Sequence, residues 1–373
     1  MHFPDAAPST IITAVGAAVY AVASFILWLG ALRRVRPDGL HAQPTVSVII
    51  PARNEAHNLP ALFAALAPQT YPRDRWEVLF VDDRSDDGTG EIAQRLAGAT
   101  PVAVRIIRVG DVRARWSPKK YAIARAVAES TGEVILTTDA DCRPEPDWVS
   151  GMVAALEGAH ADLVAGYSPY ERRGTVVGRL LALETLAQGF LTMSGIGIGW
   201  PITCQGRSFG YRRKVFDAAG GFGPGQAMLS GDDHLFLQRA VEQGFRGTYC
   251  DAPNTRVWTN PPTTREGFVH QRIRMFSGAG KLRPAVALLG AAVYGWLLAL
   301  LVGMFALQPV AWVAFLGKSV LDGVSLSIAA WRLGEWRLLR VYPLAALLYL
   351  PYFLIFAALG TFGSYRWKGM RGR

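Results

Sequence analysis

The sequence predicts an α/β protein, a mostly parallel sheet covered by helices and joined to α-helical membrane-spanning segments. Three observations predict it. Strand-like and helix-like runs alternate between residues 46 and 138, the rhythm of successive βαβ units. Acid-bearing segments follow three of the strand-like runs. Four long apolar stretches flank this region, each close to the ~20 residues that a membrane span requires.

The elements follow in order. Residues 46–50 form a β-branched strand-like run. Residues 58–66 place Leu59, Leu62, Phe63 and Leu66 on one helix face. A strand at 78–81 precedes a helix at 90–96, a strand at 104–107 precedes a helix at 119–130, and a strand at 134–138 closes the series. After Gly151 the rhythm weakens. Residues 175–199 are apolar with Arg179 and Glu184 interspersed, which fits an amphipathic helix on a bilayer surface or an ordinary buried helix.

The apolar stretches are 10–32, 285–307, 309–331 and 341–363. The first is preceded by Asp5 without Lys or Arg and followed by Arg33, Arg34 and Arg36. Positive charge on the inner side therefore predicts an outer N-terminus and a cytoplasmic polar domain. The expected domains are 1–43 (span and basic linker), 44–284 (cytoplasmic α/β domain) and 285–373 (two to three spans). The expected location is the cell (inner) membrane, multi-pass. The last stretch raises a conflict, because spanning would carry Arg366, Lys368, Arg371 and Arg373 outside. Pro351 permits a re-entrant turn instead. Lys318 and Asp322 lie one helical turn apart in the third stretch, which predicts mutual neutralisation or a role beside a lipid or sugar.

Composition narrows the function classes. Half the chain is apolar (51%) and only 18% is charged, unlike an ordinary soluble protein. The net charge of +10 fits an anionic membrane surface; no zinc knuckle or aromatic-interleaved basic stripe supports nucleic acid. Cys142, Cys204 and Cys250 are scattered and odd in number, so neither a zinc site nor a disulfide framework is expected.

The chemistry concentrates at strand ends. Pro51-Ala52-Arg53-Asn54-Glu55 follows the first strand, Asp82-Asp83-Arg84-Ser85-Asp86-Asp87-Gly88-Thr89 ends the second, and Asp139-Ala140-Asp141 ends the fourth. In a parallel sheet all three open on one edge, where α/β proteins bind ligands. Paired carboxylates favour a hard divalent cation, Mg²⁺ or Mn²⁺, whose shell phosphate can complete. The same acids also suit helix capping or a solvated strand end. Lys119 and Lys120 stand where a loop opens a helix and are placed to meet a diphosphate. Further on, Ser230-Gly231-Asp232-Asp233-His234 precedes a helical run, as a cap or as a general base. Gln271-Arg272-Ile273-Arg274-Met275 precedes the second apolar stretch, and its arginines suit a phosphate clamp or a membrane boundary.

These five segments, in this order over residues 46–276, resemble the membrane-attached family 2 glycosyltransferases. Asp139-Ala140-Asp141 matches the family's Asp-x-Asp motif, and Asp233 takes the position of the catalytic base. Gln271-Arg272-Ile273-Arg274 resembles the Gln-x-x-Arg-Trp element, with Met275 in place of Trp. The resemblance implies a GT-A fold and inverting transfer from a nucleotide sugar, a UDP-sugar being the first expectation. It implies nucleotide-sugar contacts from Pro51, Arg53, Glu55, Asp82, Asp83, Lys119 and Asp139, and metal ligation by Asp141 and Asp139. Catalysis falls to Asp233 and Asp232, and diphosphate or acceptor contacts to Gln271, Arg272 and Arg274. A membrane-lipid hydroxyl is the expected acceptor, and a processive polysaccharide synthase is the alternative. That alternative is weakened by Met275 and by the small number of spans.

Overall fold

The computed structural model describes residues 8–34, 43–171, 174–229, 231–277, 284–367 and 370–372. Asp5, Arg36, Ser230, Lys368 and Arg373 lie outside the described residues. The chain divides into two compact units. One comprises Leu29–Pro261 with Trp331–Gly334, and the other comprises the remainder.

The chain opens with α1 (Pro8–Leu32). The first half of the sheet unit then runs β1 (Val46–Ala52), α2 (Leu59–Leu66), β2 (Trp76–Asp83), α3 (Thr89–Ala99), β3 (Ala103–Val109), α4 (Pro118–Glu129) and β4 (Val134–Thr137). Next come β5 (Cys142–Pro144), α5 (Trp148–Gly158), β6 (Leu163–Gly166), α6 (Val176–Gly197), β7 (Phe209–Arg212) and α7 (Arg213–Ala218). The unit closes with α8 (His234–Glu242), β8 (Gly247–Cys250) and β9 (Val257–Thr259). Among the described residues, seven strands form one sheet in the order β3-β2-β1-β4-β7-β6-β8. All pair in parallel except β7, which runs antiparallel to both neighbours. The predicted parallel sheet is therefore observed, with one reversed strand.

Burial explains these elements. Val48, Ile50, Val78, Phe80, Val134 and Leu136 point to one face, where they pack with α2 and α5. Trp148 on α5 is fully buried there, and its indole N–H donates to Ser208 Oγ at 3.1 Å. Pro118 opens α4 at a position where a missing N–H costs nothing. Helix α6 begins with Thr175 accepting from the Gly178 N–H at 3.0 Å. Most of its length is packed within the sheet unit, with Leu181, Leu186, Phe190 and Met193 buried. Of the two readings for 175–199, the buried helix describes it.

The N-terminal edge of the sheet is tied by one carboxylate. Glu77 Oε1 accepts from the Ser47 hydroxyl and from both the N–H and the hydroxyl of Thr131, each at 2.8 Å, and Arg105 stands 3.2 Å from Oε2. Gly132 passes so close that a Cβ there would lie 2.4 Å from the Ser47 nitrogen.

The helical unit contains α9 (Arg265–Phe276), α10 (Pro284–Phe305), α11 (Pro309–Leu333, to Ala330), α12 (Tyr342–Phe362) and a hairpin of β10 (Tyr365–Trp367) and β11 (Met370–Gly372). Trp296, Leu300, Ala311, Phe315, Leu350 and Leu354 form its core. Lys318 Nζ lies 2.6 Å from Asp322 Oδ2, and the Tyr20 hydroxyl donates to Asp322 Oδ1 at 2.5 Å, so the two charges neutralise each other. Helix α12 continues through Pro351, so the re-entrant turn is not what forms. Ser9–Leu32, Val176–Gly197, Pro309–Leu333 and Trp336–Phe362 are long and apolar enough to cross a membrane, while Gly290–Phe305 is shorter. Val22, Val313, Val320 and Leu347 stand exposed on these helices.

Burial raises the Glu77 carboxyl, but hydrogen bonds from Thr131 and Ser47, with Arg105, outweigh it and hold it below the ordinary glutamate value. A lowered folded-state value stabilises the protein above the unfolded-state value of about 4.3, and that contribution is lost as pH falls through the folded value. We expect the thermal midpoint of Glu77→Gln to lie below wild type near neutral pH. The gap should close on acidification from about pH 5 to 3, as followed by thermal scanning in detergent.

Candidate active site

Three parallel strand ends build the candidate site. Val46 is level with both Trp76 and Val134, so β1, β2 and β4 start side by side and run in one direction, with β4 ending first, at Thr137 opposite Ile49. The turns after β1 and β2 are bonded to each other. The Asn54 N–H donates to Ser85 Oγ at 3.0 Å, the Asp86 N–H to Asn54 Oδ1 at 3.1 Å, and the Glu55 N–H to Thr89 Oγ1 at 2.8 Å. Asp87 receives the Ala56 and Thr89 N–H groups and the Thr89 hydroxyl. Asn54 and Arg84 adopt positive φ, 55° in both cases. Asp87 and Thr89 therefore shape the turns, whereas Asp82 and Asp83 sit at the β2 end, both largely buried. Asp82 Oδ1 accepts from the Ser85 N–H at 3.2 Å, and Asp83 pairs with Arg84 at 2.9 Å. A Cβ at Gly90 would come within 2.5 Å of Asp82 Oδ2, so glycine lets α3 start here without moving that carboxylate.

Lys119, in the first turn of α4, links two acid pairs that are distant in sequence. Its Nζ lies 2.9 Å from Asp139 Oδ1 and 3.0 Å from Asp232 Oδ2. Burial by itself would lower the Lys119 ammonium, but these two carboxylates raise it far above the usual lysine value. Burial raises the Asp141 carboxyl, and the charges of Asp139 and Glu55 raise it further, with Arg207 opposing. Sequence reasoning missed Arg207. Its Nε donates to Ser168 Oγ at 3.1 Å, an Nη donates to Ser168 O at 3.3 Å, and its guanidinium lies 5.6 Å from the Tyr170 ring centre. The only trace in the sequence is an arginine after Gln205-Gly206, just before the strand that reverses the sheet.

Asp233 caps α8. Its Oδ1 accepts the His234 N–H at 2.6 Å and lies 2.9 Å from His234 Nδ1, and its Oδ2 accepts the Gly206 N–H at 2.8 Å. Burial disfavours the ionised form, but these hydrogen bonds, the His234 ring and Lys119 hold the carboxyl far below the ordinary range. Burial lowers His234 while Asp233 raises it, and the net shift is upward. Capping, one of the two readings of this segment, is thus present. Lys120 turns elsewhere. It is buried, and its Nζ donates to Gly225 O at 2.7 Å, anchoring the loop that leads to Asp232.

The donors at the β4 end suit a hard divalent cation, since Asp141 is surrounded by negative charge that such an ion would offset. Among the described residues no group of three or more His, Cys, Asp or Glu side chains forms a ready-made cage. Asp139 and Asp141 therefore fit a metal that takes its remaining ligands from phosphate and water, the usual habit of Mg²⁺. Gln271, Arg272 and Arg274 lie on α9 in the helical unit. There Arg272 is fully buried, donates to Gln271 Oε1 at 3.0 Å and lies 4.8 Å from the Phe268 ring centre. An open cleft of about 700 Å³ at the opposite sheet edge is lined by Glu133, Asp162, Arg212 and Arg213 among others. Its arginines are bonded to the carbonyls of Ala161, Gly132 and Val127, so they serve as structural ties.

Comparison with known proteins identifies the family and the fold. The profile of Glycosyl transferase family 2 matches residues 47–220, and that of Glycosyl transferase family group 2 matches residues 134–364. Glycosyltransferase AglE of Haloferax volcanii is 30% identical over 56% of this chain and 64% of its own length. Dolichol-phosphate mannosyltransferase of Pyrococcus furiosus is 30% identical over 41% of each chain. The chain thus spans less than two thirds of these relatives. The solved mannosyltransferase PcManGT from Pyrobaculum calidifontis, in complex with GDP-Man and Mn²⁺, aligns with a TM-score of 0.55 at 20% identity. That alignment covers 91% of this chain and 99% of that one, a likeness of fold. The sheet order, the acid-lined edge and the profile spanning more than half of the sequence establish that this chain is a glycosyltransferase of family 2, built on a GT-A-like fold.

Proposed function

We propose that this enzyme is a multi-pass membrane glycosyltransferase that moves a sugar from a nucleoside-diphosphate donor to a hydroxyl of a membrane lipid, with inversion at the anomeric carbon. One observation carries the reading. Lys119 joins the Asp139-Ala140-Asp141 end of β4 to the Asp232-Asp233 pair before α8, so donor-side and acceptor-side acids share one site. The apolar helices of the same chain support a lipid acceptor, as does a relative whose name places a sugar on dolichol phosphate.

In this reading the Pro51-Arg53-Glu55 turn with Asp82 and Asp83 holds base and ribose. Asp139 and Asp141 hold Mg²⁺ or Mn²⁺, which when bound supplies Lewis-acid neutralisation of the departing diphosphate. Lys119 contacts the diphosphate. The acceptor oxygen bonds to the anomeric carbon as the bond to the diphosphate oxygen breaks, and the hydroxyl proton passes to Asp233. Against the cost of burial, its hydrogen bonds from His234 and Gly206 hold that carboxyl below the ordinary range, so it is ionised near neutral pH and open to the proton.

Asp233→Asn is expected to lower turnover by about 10²–10⁴-fold while nucleotide binding persists, as measured by radiolabel transfer and by calorimetry. Near wild-type turnover removes Asp233 from the base role. Gly206→Ala tests the same carboxylate indirectly, because the new Cβ would lie 3.0 Å from Asp233 Oδ2. A displaced base should cost roughly tenfold or more in kcat, with an unchanged circular dichroism spectrum. For the substrates, purified protein is incubated with UDP- and GDP-sugars, Mg²⁺ or Mn²⁺ and total membrane lipid, and the lipids are analysed by mass spectrometry. One added sugar per lipid is expected; a polymer, or no lipid product, overturns the acceptor assignment.

A further inference from the structure

The feature that goes beyond this function is the double ion pair of Lys119. A single ammonium, only 19% exposed, holds Asp139 on one side and Asp232 on the other. Asp139 flanks the position where the divalent cation fits, and Asp232 adjoins the base. We infer that Lys119 is an internal counter-ion occupying the charge position of the metal in the donor-free enzyme, and that metal–nucleotide binding displaces it from Asp139 and thereby releases Asp232 from the bridge. This inference rests on the metal–diphosphate reading of the site.

The argument is electrostatic and geometric. Asp139, Asp141, Asp232 and Asp233 converge from two parts of the chain, and burial makes their mutual repulsion costly. Lys119 offsets this with a single charge placed between the two groups. A divalent cation arriving at Asp139 cannot share that carboxylate with an ammonium without like-charge repulsion. The nucleotide resolves the conflict, because its diphosphate offers the ammonium new anionic oxygens. Lysine suits the exchange. Its four-carbon stem is flexible and its head is a point charge with rotatable donors, so the move needs no backbone shift. Two consequences follow. Metal alone competes with Lys119 and binds poorly, whereas metal and nucleotide bind together. Release of Asp232 then ties the acceptor half of the site to the presence of donor, a coupling that must be reciprocal.

Mn²⁺ binding to the full-length, detergent-purified chain without nucleotide tests this, with free Mn²⁺ read by electron paramagnetic resonance. The proteins are wild type, Lys119→Met, Lys119→Gln and Lys119→Arg, with thermal scanning to confirm that each is folded. The neutral variants are expected to bind Mn²⁺ at least about tenfold more tightly than wild type, and Lys119→Arg to match wild type. Adding UDP or GDP should tighten Mn²⁺ binding strongly in wild type and much less in the neutral variants. Neutral variants that bind no better than wild type, or an Arg variant that tightens along with them, overturn the role of Lys119 alone. Each protein is also tested with Asp141→Asn. Mn²⁺ binding that survives this change overturns the metal reading of the site, and with it the present inference.

Discussion

Strand β1 pairs in parallel with β2 on one side and β4 on the other, with Val46 level with both Trp76 and Val134. Everything at the candidate site depends on that register. Backbone hydrogen bonds hold it, and Val48, Ile49 and Ile50 are buried, so both faces of the strand are packed. Given this pairing, the turns after Ala52 and Asp83 and the acids after Thr137 open together. The reversed strand β7 then brings a second group of residues to the same region. Thr137 Oγ1 donates to Gly206 O at 2.9 Å, and Gly206 in turn donates to Asp233.

The register creates an electrostatic problem as well as a site. Carboxylates from three strand ends, joined by Asp232 and Asp233, occupy a largely buried region. The fold answers with few cations, each well anchored. Arg207 is fastened to Ser168 and faces Tyr170, and Lys119 reaches two acids at once. At the β4 end burial is the first cause that raises the Asp141 carboxyl, the charges of Asp139 and Glu55 add to it, and Arg207 opposes them.

The sheet and its acid edge were legible in the sequence because both signals are local. β-branched runs and the acids directly after them reveal strand ends without tertiary information, and parallel pairing follows from the helices between them. The rest was set by contacts over long separations. Arg207 was missed because its relation to Asp141 arises through β7, which enters the sheet against the prevailing direction. Lys120 could not be told from Lys119 by sequence, since one turns inward to Gly225 and the other toward Asp139. Capping and catalysis at Asp233 remained alternatives, and the geometry shows the cap with one oxygen facing Gly206. The helix through Pro351 went against a local rule because proline removes one backbone donor, a loss that the remaining hydrogen bonds of α12 accommodate.

The bonded pair of turns after β1 and β2 has a consequence for how such an enzyme diversifies. Asn54, Ser85, Asp87 and Thr89 lock the two loops together before any ligand arrives. The entropy of ordering this wall is met during folding and is not charged to each binding event. A wall already set can exchange its side chains without rebuilding its backbone. In the proposed reading, where this wall holds the donor, donor preference can drift in small evolutionary steps while the frame stays constant. The same frame can be inherited by descendants whose acceptors have nothing else in common.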